Sequence, residues 1–315
     1  MGGYGRTVSI LAAILLGVLL YKFLMPITFL MPYLIFVLLF VPFCGVAPSQ
    51  MKFGKLHISL ALFQVVVCIA TYLLIRPFDD ILAQGAMICI LAPTATAAVV
   101  IGALLGGRVE VIVSYTVLIN CIVAVVAPLM FTYIGAVGEV ISFWGLLLAL
   151  LRRVMPILLL PLALALILRK VSLKWAMQIN KLKSYTFYIW LFSLTLTMAS
   201  TVDYIVRSGT EYLSEYLILA ATALVIAIAQ YIIGWHIGKR FGRRIEGCQL
   251  LGQKNTILTI WMAQNFLNPL ASIAPAAYVL WQNIINSVEL GIAKGGHINP
   301  QDDPNHVIPE QPSLK

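Results

Sequence analysis

A helix needs about 20 mainly apolar residues to cross hydrocarbon, and this chain supplies such runs almost end to end. Val8 to Leu24, Pro26 to Val46, Ile58 to Leu74 and Leu217 to Gly238 are the plainest. Of all residues, 61% are hydrophobic and 10% charged, whereas a soluble domain carries about a quarter charged residues. A soluble fold could not keep that much apolar surface from water. The sequence therefore predicts an all-α membrane protein without a large soluble module. The first run follows a single arginine and shows no small-residue cleavage site before Lys22, so it reads as a retained span rather than a signal peptide.

Ten spans are expected, at about 7–24, 27–46, 57–75, 83–105, 109–133, 150–168, 185–203, 215–237, 247–267 and 270–293. Residues 139–149, apolar with Trp144 and ending before Arg152 and Arg153, read as a stretch lying along the interface. Residues 1–295 then form one transmembrane domain, and 296–315, polar and proline-rich, a disordered tail. With the N-terminus in the cytoplasm, basic residues favour the inner segments by about three to one, Arg169, Lys170, Lys174, Lys181, Lys183, Lys239, Arg240, Arg243 and Arg244 among them. Both termini are expected in the cytoplasm of a cell membrane, a bacterial inner membrane being the expected one. The net charge of +9 belongs to these short loops, with no basic run interleaved with aromatics, so nucleic acid is not an expected partner.

Ten spans divide into two sets of five, and an odd-numbered set must point the opposite way from its predecessor. Two inverted repeats, about 7–135 and 140–294, are the expectation. The five cysteines have no CxxC spacing and the four histidines are scattered, so neither a disulfide framework nor a metal site is expected, and no cofactor is called for.

Three stretches break the apolar pattern. The fourth span contains Pro93, Thr94 and Thr96 among alanines, followed by Gly102, Gly106 and Gly107. Proline removes a backbone donor, and a break at membrane depth is tolerated only where protein or a wet cavity receives the freed groups. That segment is either a discontinuous helix at a solute site or a kink in a packed bundle. The ninth span contains Gly252, Gln253, Lys254, Asn255 and Thr256 in a row. A lysine at a helix centre costs roughly 3 kcal/mol on insertion scales, so it either serves a partner there or snorkels to the boundary. The tenth span contains Gln282, Asn283 and Asn286, with Gln282 and Asn286 one turn apart on one face, as cavity lining or interhelical glue. Gln64, Asn120 and Gln230 are single polar residues within other apolar runs.

At these residues the chain resembles the bile acid:sodium symporter family. The likeness lies in Pro93 to Ala98 with Gly106-Gly107 and Ala127-Pro128, in Gln230 to Lys239 with Gly234 and Gly238, in Gly252 to Thr256, and in Pro275 to Asn283. These segments occur in the family's order and cover nearly the whole chain. The resemblance implies ten helices, a panel of spans 1, 2, 6 and 7, and a core of spans 3–5 and 8–10. In it the fourth and ninth helices are broken and cross near the midplane. It also implies a small or amphipathic organic anion as solute, bound between panel and core and carried by alternating access.

The departures from that pattern are specific. Ala98 and Val99 stand where the family's sodium sites have Ser-Asn, Leu250 where they have Glu, and Lys254 where they have Gln. Gln64 and Asn255 match, with Asn120 a further candidate. An ammonium thus replaces a sodium ion in the comparison, and an amine held away from water could exchange a proton. The expected function is a secondary active transporter of an organic anion, not sodium-coupled in the usual way and open to proton linkage. The alternatives are a sodium symporter with an altered ion site, or a non-transporting membrane sensor on the same fold. No Gly-x-Ser-x-Gly, His-Glu-x-x-His or Asp-rich motif occurs, so no enzyme is expected. Solute identity, transport direction and oligomeric state have no sequence signal.

Overall fold

The computed structural model describes residues 3–47, 51–95, 97–135, 143–182, 185–208 and 212–294. Thr96, residues 139–142 and the 296–315 tail lie outside them. The described chain is all-helical: α1 (Gly3–Leu19), α2 (Tyr21–Leu24), α3 (Met31–Phe43), α4 (Lys55–Ile75), α5 (Asp80–Leu91), α6 (Ala97–Leu104), α7 (Val109–Gly135), α8 (Phe143–Val171), α9 (Leu173–Lys181), α10 (Thr186–Ser208), α11 (Leu213–Arg240), α12 (Arg244–Gly252), α13 (Thr256–Phe266) and α14 (Ile273–Lys294). A 3-10 turn, Met25–Leu30, joins α2 to α3, and another, Pro269–Ser272, precedes α14.

Among the described residues, six stretches are long and apolar enough to cross a membrane: Tyr21–Phe43, Lys55–Ile75, Val109–Gly135, Leu147–Val171, Thr186–Arg207 and Leu213–Arg240. The burial pattern agrees with a lipid surround. Large apolar side chains such as Phe23, Leu74, Phe78, Leu217 and Val225 point outward, while Gln64, Gln230, Gln249, Gln253, Lys254, Gln282 and Asn286 are buried. A water-soluble fold arranges these classes the other way round. The chain is a multi-pass membrane protein.

Two packing groups emerge. In one, α1 lies on α10, and α3 on α8 and α10. In the other, α4 packs on α5, and α11 on α12, α14 and α5. α7 joins the groups through α8, and α13 touches α10. The tightest approach is between α11 and α12. A Cβ on Gly234 would collide with the Gly247 carbonyl, and one on Gly247 with the Gly234 carbonyl and the Gly238 backbone. The Gly234-x-x-x-Gly238 spacing opens one face of α11 to a backbone, as small residues do between membrane helices. Gly242, at φ 63°, turns the chain back between them, a left-handed conformation natural to glycine.

The differences from the expected spans are local. Residues 143–149 are the first turns of α8 rather than a separate stretch, because the apolar run from Phe143 to Leu151 continues as one helix through Gly145, whose cost within a helix is only about 1 kcal/mol. The basic linker after α8 is helical too: Ser172 caps α9, accepting the Trp175 N–H at 3.4 Å. The expected fourth and ninth spans are each two helices with an interruption between.

Candidate functional site

Pro93 has no N–H to give to a preceding turn, and α5 stops at Leu91, with Ala92 to Ala95 leaving the helix. The second interruption falls at Gln253 to Asn255, where α12 ends at Gly252 and Asn255 caps α13 by accepting the Leu258 N–H at 3.4 Å. The two interruptions lie against each other. Thr94 and Lys254 form an antiparallel bridge. The Ala95 N–H donates to the Gln253 carbonyl at 2.9 Å, and the Asn255 N–H to the Pro93 carbonyl at 2.8 Å.

Helix C-termini leave carbonyls without partners and carry roughly half a negative charge. Here α5 and α12 both end at the crossing, and each receives donors from the other interruption. Thr94 Oγ1 donates to the Leu250 carbonyl of α12 at 2.6 Å. Lys254 Nζ donates to the Ile90 carbonyl of α5 at 3.1 Å. Ile90 stands four residues before Thr94, and Leu250 four before Lys254, so the two bonds have the same spacing from donor to helix end.

Neighbouring helices complete the set. Gln64 Nε2 on α4 reaches the Leu91 and Ala92 carbonyls at 3.1 and 2.9 Å, while its Oε1 accepts from the Tyr115 hydroxyl at 3.2 Å. The Tyr278 hydroxyl donates to the Gly252 carbonyl at 2.9 Å, and Gln230 Nε2 to the Tyr278 oxygen at 3.2 Å. Gln282 Oε1 accepts the Lys254 N–H at 3.0 Å. Gln253 turns toward α11 and α14, its Oε1 accepting from Asn286 Nδ2 and standing 3.0 Å from the Tyr231 hydroxyl.

Lys254 is 1% exposed, so it does not reach water by snorkelling. Its chain runs inward to the end of α5. An uncompensated ammonium at this depth would be costly, and the carbonyl end of a half-helix is the compensation the fold provides. The arrangement sets amide, hydroxyl and ammonium donors against backbone acceptors.

Of the sequence candidates, Gln64, Pro93, Thr94, Gly252, Gln253, Lys254, Asn255 and Gln282 meet at the crossing. Thr96 falls outside the described residues. Asn283 turns back on its own helix, donating to the Val279 carbonyl at 2.6 Å. Asn120 also bonds within its helix, from Nδ2 to the Thr116 carbonyl at 2.7 Å, and its buried Oδ1 has no partner. Thr256 Oγ1 is likewise buried without one. Sequence reasoning did not single out Tyr115, Tyr231 and Tyr278: a tyrosine in an apolar run looks like any membrane aromatic. Asn286 carried the only signal, through its shared face with Gln282. Neither a family model nor a curated protein matches the chain.

Proposed function

We propose that this chain is a secondary transporter of a small or amphipathic organic anion, built as in the bile acid:sodium symporter family, in which the Lys254 ammonium does the work of a bound sodium ion. The observation that carries this reading is the crossed pair of interrupted helices with Lys254 Nζ on the Ile90 carbonyl. A cation at that position satisfies the negative end of one half-helix, α5, while Thr94 serves the end of the other; a coupling ion plays such a role in transporters with discontinuous helices.

Ten spans follow if α1, Tyr21–Phe43, α4, α5 with α6, α7, α8, α10, α11, α12 with α13, and α14 each cross once. The interrupted span is then the fourth of each set of five, and the equally spaced bonds from Thr94 and Lys254 support two inverted repeats. The packing of α1, α3, α8 and α10 apart from α4, α5, α11, α12 and α14 supports a panel and a core. Both termini face the cytoplasm in this reading, by the excess of Lys and Arg in the inner loops.

The test is flux of radiolabelled organic anions into proteoliposomes. Uptake is expected to proceed without sodium and to respond to a proton gradient. Uptake that rises steeply with sodium at fixed pH would overturn the ion-replacement reading. Lys254→Met is expected to stay folded, because the two backbone bonds across the crossing remain, and to lose the proton response. Solute binding without any flux would assign the fold to a sensor instead.

A further inference from the structure

One carboxylate has no ionic partner among the described residues. Glu289, on α14, accepts at Oε1 from the Cys248 thiol at 3.1 Å and at Oε2 from Gln249 Nε2 at 2.7 Å, both neutral donors. Arg76–Asp80 and Arg207–Asp203, ion pairs among the described residues, do not involve it. It lies in a groove of about 340 Å³ between α11 and α14, walled by Ile228, Ile232 and Ile285 and bordered by Trp235 and His236. The outer faces beside that groove, Val225, Ile228 and Ile232 on α11 and Ile284, Val288 and Ile292 on α14, are exposed and apolar. The groove therefore opens toward acyl chains. At its rim the charge reverses: Lys239 Nζ sits 5.1 Å from the Trp235 ring centre, with Arg240 next in the chain.

We infer that this groove is a binding site for an ethanolamine phospholipid, its primary ammonium on Glu289, its phosphate toward Lys239 and its chain along the isoleucines. An unpaired carboxylate at a low-dielectric boundary favours a cation that can donate hydrogen bonds. A cation one turn along α11 favours the adjacent phosphate. The apolar walls select a ligand that arrives from the bilayer. Phosphatidylethanolamine combines all three features. A quaternary choline cannot donate to the carboxylate, and a glycerol headgroup brings it no positive charge.

The experiment is native mass spectrometry of lipid retained by the full chain after exposure to equal mixtures of phosphatidylethanolamine, phosphatidylcholine and phosphatidylglycerol. The wild type is expected to retain phosphatidylethanolamine over phosphatidylcholine by about tenfold, and Glu289→Gln to reduce that ratio to near one. Ile232→Trp, which fills the groove from the lipid side and leaves the carboxylate intact, is expected to reduce retention of the ethanolamine lipid; it stands as the test if Glu289→Gln does not fold. Equal retention of the three lipids by the wild type overturns the proposal. So does a preference that both variants keep, or one for phosphatidylglycerol, which would give the groove to anionic lipid through Lys239. Retention does not depend on transport, so failure here leaves the transport reading standing, and the reverse also holds.

Discussion

Single residues at the crossing act mainly by satisfying carbonyls that no helix can. Thr94→Val keeps the volume and removes the donor to the Leu250 carbonyl, leaving a buried acceptor unpaired at a cost of about 1–3 kcal/mol. A lowered midpoint of thermal unfolding in detergent is the expected readout. Gln64→Leu removes donors from both Leu91 and Ala92 and is expected to cost roughly twice as much. Equal melting temperatures for Gln64→Leu and the wild type would show that water takes over its bonds. Much of this site was legible in sequence, since a proline and a run of polar residues have no other cheap place in hydrocarbon. The partners were not. The Ile90 and Leu250 carbonyls carry no side-chain signal, and Lys254 inserted at α5 could not be told from Lys254 snorkelling until the other interruption was placed beside it. Nor was Glu289: its contacts with Cys248 and Gln249 come from another helix and leave no local trace in the sequence.

Among the helices, the pairing of α11 with α12 is the most constrained. Gly247→Leu would drive a side chain into the α11 backbone, and no rearrangement of a flexible group can relieve that. The expected result is loss of the monodisperse peak in size-exclusion chromatography. Gly291→Ala, on α14, meets nothing within 4 Å; it should leave the peak unchanged and stabilise the helix by up to about 1 kcal/mol. The long apolar helices were readable from hydropathy, and their limits moved by only a few residues. Residues 143–149 were read apart from the span that follows because Trp144 and the nearby arginines resemble an interfacial segment and Gly145 weakens the helical signal, while α8 runs through them without interruption. The helix at Leu173–Lys181 was also missed, its basic residues masking a Ser172 cap.

Movement of the whole molecule would have to break contacts between the two packing groups. Polar ones join α10 to α13: Ser200 Oγ donates to Gln264 Oε1 at 3.0 Å, and Gln264 Nε2 to Thr201 Oγ1 at 3.3 Å. If transport is by alternating access, a short thiol cross-linker between Ser200→Cys and Gln264→Cys should stop flux and a reductant-cleavable one should restore it on reduction. Uninterrupted flux in fully cross-linked protein would show that α10 and α13 travel together. The crossing itself bears on biosynthesis. Lys254 and Asn255, beyond residue 250, donate to the Ile90 and Pro93 carbonyls, so a nascent chain that ends before α12 leaves those two carbonyls without these donors in the bilayer, with only Gln64 in place at Leu91 and Ala92. The end of α5 must wait for the second interruption, and a product truncated before it carries unpaired acceptors that the finished protein does not.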